Sequence, residues 1–132
     1  MHKPYYHDDA CTIYHGDCAE ILSALPTVDL VLTDPPYFRV KNEPWDRAWQ
    51  GSSAFLAWLA SIADLWAERL APNGSLYCFA SPEMGARVEV VLRDRFNVLN
   101  RIRWMKRNGW HRKAERESLR RYLTPWEEIV FA

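Results

Sequence analysis

Apolar positions along this chain change period from segment to segment, and the changes mark out its elements. Residues 12–15 (TIYH) form a short β-prone run closed by Gly16 and Asp17. Residues 18–25 (CAEILSAL) then place apolar side chains at helical spacing, with Asp17 in position to cap them. Residues 28–33 (VDLVLT) are a compact branched run of the kind that fits a strand buried on both faces, and Asp34-Pro35-Pro36-Tyr37 stops it. From residue 53 to 70, Phe55, Leu56, Leu59, Ile62, Ala63, Trp66 and Leu70 recur at i, i+3 and i+4 spacing. Ser52 or Ser53 starts this helix and Pro72-Asn73-Gly74 stops it. Residues 75–80 (SLYCFA) read as the next strand. Residues 82–95 read as an amphipathic helix with Met84, Val88, Val91 and Leu92 on one face, residues 96–105 as a strand, and residues 127–132 (EEIVFA) as a final short strand.

The order is β-α-β-loop-α-β-α-β-loop-β, which predicts an α/β architecture with a mainly parallel sheet and helices on both faces. Such sheets bind ligands at the carboxyl ends of their strands, and Asp34 to Tyr37 lies at one of those ends. The connections over residues 38–51 and 106–125 are long, charged and rich in Trp, as functional loops tend to be.

Composition adds a split that the total conceals. The 132 residues carry 17 basic and 17 acidic side chains, yet the first 66 residues have an excess of five acids and the remainder an excess of five bases. The bases concentrate between Arg93 and Arg121, and Trp104, Trp110 and His111 among them favour contact with a polyanion such as nucleic acid over a merely solvated face. A length of 132 residues fits one domain. Three cysteines without a CxxC pair fit a reducing, cytoplasmic compartment, and no apolar stretch is long enough for a membrane span. His2, His7 and His15 lack metal-ligand spacing, so no metal site is expected.

The tetrapeptide Asp34-Pro35-Pro36-Tyr37 carries the most specific chemistry. Two prolines fix φ and remove two backbone donors, leaving a stiff loop whose carbonyls face outward. A carboxylate beside a free carbonyl can grip both hydrogens of a planar amine, and Tyr37 offers a surface on which a base can stack. Trp45 and Trp49 are candidates to line that pocket or to pack its loop, while Trp58 and Trp66 sit at helical spacing with the core.

The run Ile13-Tyr14-His15-Gly16-Asp17-Cys18 with Ile21-Leu22, followed by Val28-Asp29-Leu30-Val31-Leu32-Thr33-Asp34-Pro35-Pro36-Tyr37, resembles the N-terminal catalytic half of bacterial and phage amino-group (N6-adenine/N4-cytosine) DNA methyltransferases. Residues 69–77, Arg103-Trp104-Met105-Lys106 and residues 126–132 are similar to later segments of that half, so nearly the whole chain is covered. The resemblance implies a partial Rossmann-like methyltransferase fold and a cytoplasmic protein of a bacterium or phage-infected host. It implies S-adenosylmethionine as cofactor and double-stranded DNA as partner, with a role in DNA methylation and restriction-modification. It makes Asp34, Pro35, Pro36 and Tyr37 the catalytic residues: Asp34 and the Pro35 carbonyl hold the N6 hydrogens of a flipped adenine, Tyr37 stacks on it, and the nitrogen attacks the methyl group directly. Asp17 and Asp34 are the cofactor-binding candidates, with Asp17 serving equally well as a helix cap. Arg103, Lys106, Arg107, Arg112, Lys113 and Arg116 are the DNA-binding candidates.

An Asp at the head of the tetrapeptide favours N6-adenine, with N4-cytosine or RNA amine methylation as alternatives. The family's glycine-rich cofactor turn has no counterpart, because Gly16, Gly51, Gly74, Gly85 and Gly109 include no G-x-G pair. The expectation is therefore the DPPY-containing part of a methyltransferase domain over residues 1–132, without target-recognition and cofactor-loop segments. Such a part is a fragment of an enzyme that a complementary methyltransferase segment or a homodimer completes, or else a non-catalytic remnant that binds DNA or a partner.

Overall fold

The computed structural model describes residues 3–106, 120 and 122–132. Two short strands, β1 (Tyr6–His7) and β2 (Thr12–Ile13), pair as an antiparallel hairpin ahead of helix α1 (Cys18–Leu22). Strand β3 (Val28–Thr33) leads through a single 3-10 turn (Pro44–Asp46) to the long helix α2 (Ser52–Arg69). Strand β4 (Leu70–Ala80), helix α3 (Gly85–Arg93), strand β5 (Asn100–Met105) and strand β6 (Trp126–Phe131) complete the chain. Strand β2 falls within the β-prone run of residues 12–15, while β1 is not legible in the apolar pattern, since it has only two residues and both are exposed.

Each element has a local cause. Asp17 caps α1 by accepting the Ala19 amide at 2.8 Å, and the Arg69 guanidinium closes the other end by donating to the Leu22 and Ser23 carbonyls. Helix α2 buries Phe55, Leu59, Ile62, Ala63 and Trp66, the stripe that its sequence spacing predicts. The Pro72-Asn73-Gly74 stop lies inside β4, not ahead of it. The register with β3 jumps from Val28↔Leu70 to Leu30↔Ser75, and this bulge absorbs the turn residues.

The four-stranded sheet has the order β3-β4-β6-β5. Strands β3 and β4 pair parallel, and β6 pairs antiparallel with both β4 and β5. Three strands thus share one direction, and the expected mainly parallel sheet takes one reversed strand in its interior. The β5-to-β6 connection can produce this reversal because it needs no crossover helix.

Alternation along the strands separates two faces. Leu76, Cys78, Ala80 and Val130 point into a core completed by the stripe of α2 and by Met84, Val88 and Leu92 at α3, with α1 packed against α2. On the opposite face lie Leu30, Leu32, Tyr77, Phe79, Ile102, Trp104, Ile129 and Phe131, aligned by register across all four strands. Leu30 is 52% and Leu32 65% exposed, and Ile102 and Trp104 are also open to solvent. Helices therefore cover one face, and no described residue covers the other. The branched run of β3 has the composition of a strand buried on both faces but is covered on one. No described helix is long and apolar enough to cross a membrane.

Candidate active site and nucleic-acid interface

The loop after β3 is built from left-handed backbone and one buried acid. Phe38 and Arg39 adopt φ of 63° and 62°, a region that L side chains enter at a cost of roughly 1–3 kcal/mol each. Asp46, fully buried, holds them there. Its Oδ1 accepts the Tyr37 amide at 2.9 Å, its Oδ2 accepts the Lys41 amide at 2.6 Å, and its backbone carbonyl accepts the Arg39 amide at 2.9 Å. Phe38 stacks on Phe55 of α2 at 5.6 Å between ring centroids, which ties the loop to the core. Trp49 packs against Phe55 and Trp58, so it is a loop-packing residue, while Trp45 is exposed.

With its base pinned, the loop presents the predicted tetrapeptide at the carboxyl end of β3. Asp34 is exposed and Pro35, Pro36 and Tyr37 are half-buried. Among the described residues no hydrogen bond ends on the Pro35 or Pro36 carbonyl. Burial first, then the adjoining Asp34 side chain and the charge of Glu127, push the Tyr37 phenol well above its ordinary 10.0. Tyr37 is thus a neutral ring at any physiological pH.

A cavity of about 1070 Å³ opens next to Tyr37, lined on one side by Arg39 and Lys41 of the loop, at the back by Ser81 and Pro82 after β4, and on the far side by Arg101, Arg103, Trp126 and Glu128. The carboxyl ends of β3, β4 and β5 all meet there, as the strand-end rule for open sheets requires. Arg103 holds its Nε 3.6 Å from Glu128 Oε1 and its guanidinium 4.9 Å above the Trp126 ring. Lys106 pairs with Glu127 Oε2 at 3.0 Å and lies over Trp104. The structure therefore brings Tyr37, Arg103 and Lys106 to one cavity. Arg107, Arg112, Lys113 and Arg116 lie outside the described residues.

Asp17 stands apart, in the cap of α1. No glycine cradle for a methionine or ribose forms around it: a Cβ on Gly16 would meet Ile21 Cδ1 at 3.3 Å, so Gly16 faces its own helix. Sequence reasoning missed Asp46, Arg101 and Glu128. Asp46 lies nine residues from the amide it accepts, and the pairing of Arg101 with Glu128 crosses two strands.

The N6/N4 family described as DNA methylase matches residues 28–132. The chain is 33% identical over 100 residues to the DNA adenine methyltransferase YhdJ of Escherichia coli (strain K12), covering 74% of this chain and 34% of that protein. It is 30% identical over 103 residues to the type II methyltransferase M.BamHI of Bacillus amyloliquefaciens, covering 76% of this chain and 24% of that protein. Among solved structures, the DNA modification methylase TTHA0409 of Thermus thermophilus superposes with a TM-score of 0.64 at 27% identity, over 88% of this chain and 49% of that one. The S-adenosylmethionine complex of M1.HpyAVI superposes with a TM-score of 0.60 at 27% identity, over 89% and 50%. The chain thus spans about half the length of these solved relatives and a smaller share of the two curated ones. Its partial Rossmann-like sheet, its pinned Asp34-Pro35-Pro36-Tyr37 loop and the match over residues 28–132 together establish that the chain belongs to the N6/N4 DNA methylase family.

Proposed function

We propose that this chain forms the amine-holding half of an S-adenosylmethionine-dependent DNA methyltransferase acting on N6 of an extruded adenine in duplex DNA. The observation that carries this reading is the loop pinned by Asp46, which sets an exposed carboxylate, a free carbonyl and a neutral tyrosine ring at one strand end. Asp34 and the Pro35 carbonyl accept the two amine hydrogens, which localises the nitrogen lone pair. Tyr37 stacks on the base, and the flipping cost of a few kcal/mol is offset by that contact and by phosphate contacts from Arg103 and Lys106. Arg107, Arg112, Lys113 and Arg116, which follow in the sequence outside the described residues, are further candidates for phosphate contact.

S-adenosylmethionine supplies the methyl group in this reading, with Asp34 nearest the transfer and Asp17 as a further contact. The glycine turn that would hold the cofactor comes from a second segment. The apolar sheet face of Leu30, Leu32, Phe79 and Trp104 supports this, because it is the surface a complementary methyltransferase half would cover.

The test mixes the chain with unmethylated duplex DNA and methyl-labelled S-adenosylmethionine, with and without the cofactor-carrying segment of a relative such as YhdJ. Label should enter N6-methyladenine in the mixture, and Asp34→Ala should abolish it while duplex binding survives. Label on cytosine N4 would overturn the adenine assignment. Duplex binding without any label in the mixture would leave the chain a DNA-binding remnant.

A further inference from the structure

Glu128 is a buried charge with no part in the proposed methyl transfer. Its side chain is 5% exposed, in β6, and lines the cavity beside Tyr37. Oε1 accepts the Trp126 indole N–H at 2.9 Å, while Oε2 is buried without a hydrogen bond among the described residues. Two guanidiniums flank the carboxylate: Arg101 Nε lies 3.4 Å from Oε2 and Arg103 Nε 3.6 Å from Oε1. Room for it exists because residue 85 is glycine, since a Cβ there would come within 2.7 Å of Glu128 Cγ.

Burying a carboxylate is costly, and one with an oxygen left without a hydrogen bond contributes little as a stabiliser. What it achieves is geometric. Arg101 and Arg103 occupy positions i and i+2 of β5, on the same face, and unscreened they would repel and splay apart. Glu128 makes its shortest contact with each through Nε, and Arg101 Nη1 lies 3.2 Å from Glu89 Oε2. The terminal nitrogens of neither arginine donate a hydrogen bond among the described residues, and both side chains line the cavity. Trp126 fixes the plane of Arg103 by stacking under it.

We propose that Glu128 is a positioning residue that sets Arg101 and Arg103 as a two-guanidinium clamp for a backbone phosphate of the DNA strand whose nucleotide enters the cavity. A phosphate fits the free nitrogens because guanidinium forks bind planar pairs of oxygens in bidentate fashion. The inference rests on the DNA-methyltransferase reading and adds to it Arg101 and the carboxylate that sets both arginines.

The test exploits a conflict of sign. Glu128→Gln keeps the size and the acceptor for Trp126 but removes a negative charge, so simple electrostatics predicts tighter DNA binding. The clamp predicts that a fluorescein-labelled duplex, followed by anisotropy across a series of potassium chloride concentrations, binds about fivefold more weakly or worse. Glu127→Gln, which frees Lys106 without touching the clamp, should bind as well as wild type or better. Unchanged or tighter binding by a folded Glu128→Gln overturns the inference.

If that variant melts early, Arg101→Lys and Arg103→Lys keep the charge and lose the forks. Each should weaken binding to a similar degree, and wild-type affinity in both overturns the clamp. A wild-type chain that binds no duplex at all overturns the DNA-methyltransferase reading along with it.

Discussion

At the scale of single residues, Asp46 shows how one acid can hold a functional loop in a shape that its own residues resist. Replacing it with Ala removes two charge-assisted amide contacts from a buried site, and Phe38 and Arg39 lose the reason for their left-handed backbone. The expected loss is about 2–4 kcal/mol of unfolding free energy by urea titration, with Asp46→Asn costing less because one acceptor remains. Cys78 makes a second prediction. Burial, followed by the charge of Asp34, pushes its thiol from an ordinary 9.0 up to about 12. The unfolded chain therefore ionises first. Stability from this group is intact below pH 9.0 and falls as the pH rises from there towards 12, by up to about 1.4 kcal/mol per unit. Stability profiles of Cys78→Ala and wild type should diverge in that window, and iodoacetamide should label exposed Cys11 and Cys18 well before Cys78. The Asp34-Pro35-Pro36-Tyr37 tetrapeptide was legible because its stiffness is local. Asp46 was not, because its role depends on backbone angles that no periodicity encodes.

At the scale of elements, amphipathic spacing located α2, since burial of one stripe leaves a period in the sequence, and the apolar run of residues 75–80 located the second part of β4. It did not locate the bulge in β4, where Leu70 and Ser75 pair with nearby positions of β3. Nor did it locate the contact of α3 with β6, which depends on a missing side chain. Gly85→Ala tests that contact. Alanine is the better helix former by up to about 1 kcal/mol, but its Cβ would sit 2.7 Å from Glu128 Cγ and 3.0 Å from its Cβ, atoms too near the backbone to swing away. The clash should win, lowering stability by about 1–3 kcal/mol in a urea titration. A stabilised variant would show that α3 can lift from the sheet without loss.

At the scale of the whole molecule, the charge split and the two faces of the sheet describe one asymmetry. The excess of base in the second half of the sequence falls partly on β5 and the residue after it, where Arg101, Arg103 and Lys106 are paired with acids of α3 and β6, so the cations read from sequence are less free than their count suggests. The sheet's second face exposes leucine and aromatic side chains in register. Replacing Leu30 and Leu32 together with Thr keeps branched side chains in β3 and removes little buried area, so stability should change by less than about 1 kcal/mol. Binding of an apolar dye and self-association in sedimentation should both fall. Unchanged dye binding would mean that this face is not the adhesive surface.

The position of β6 in the sheet also bears on how the protein is made. It hydrogen-bonds β4 on one side and β5 on the other, yet it follows both in the chain. During synthesis, residues 100–105 leave the ribosome with no strand to pair with until residues 126–131 emerge. At typical elongation rates of about 5–20 residues per second, that interval lasts roughly one to four seconds, and two sheet edges stay open throughout it. The pace of translation across residues 107–125 therefore sets how long the nascent chain is exposed to strand-to-strand capture by its neighbours.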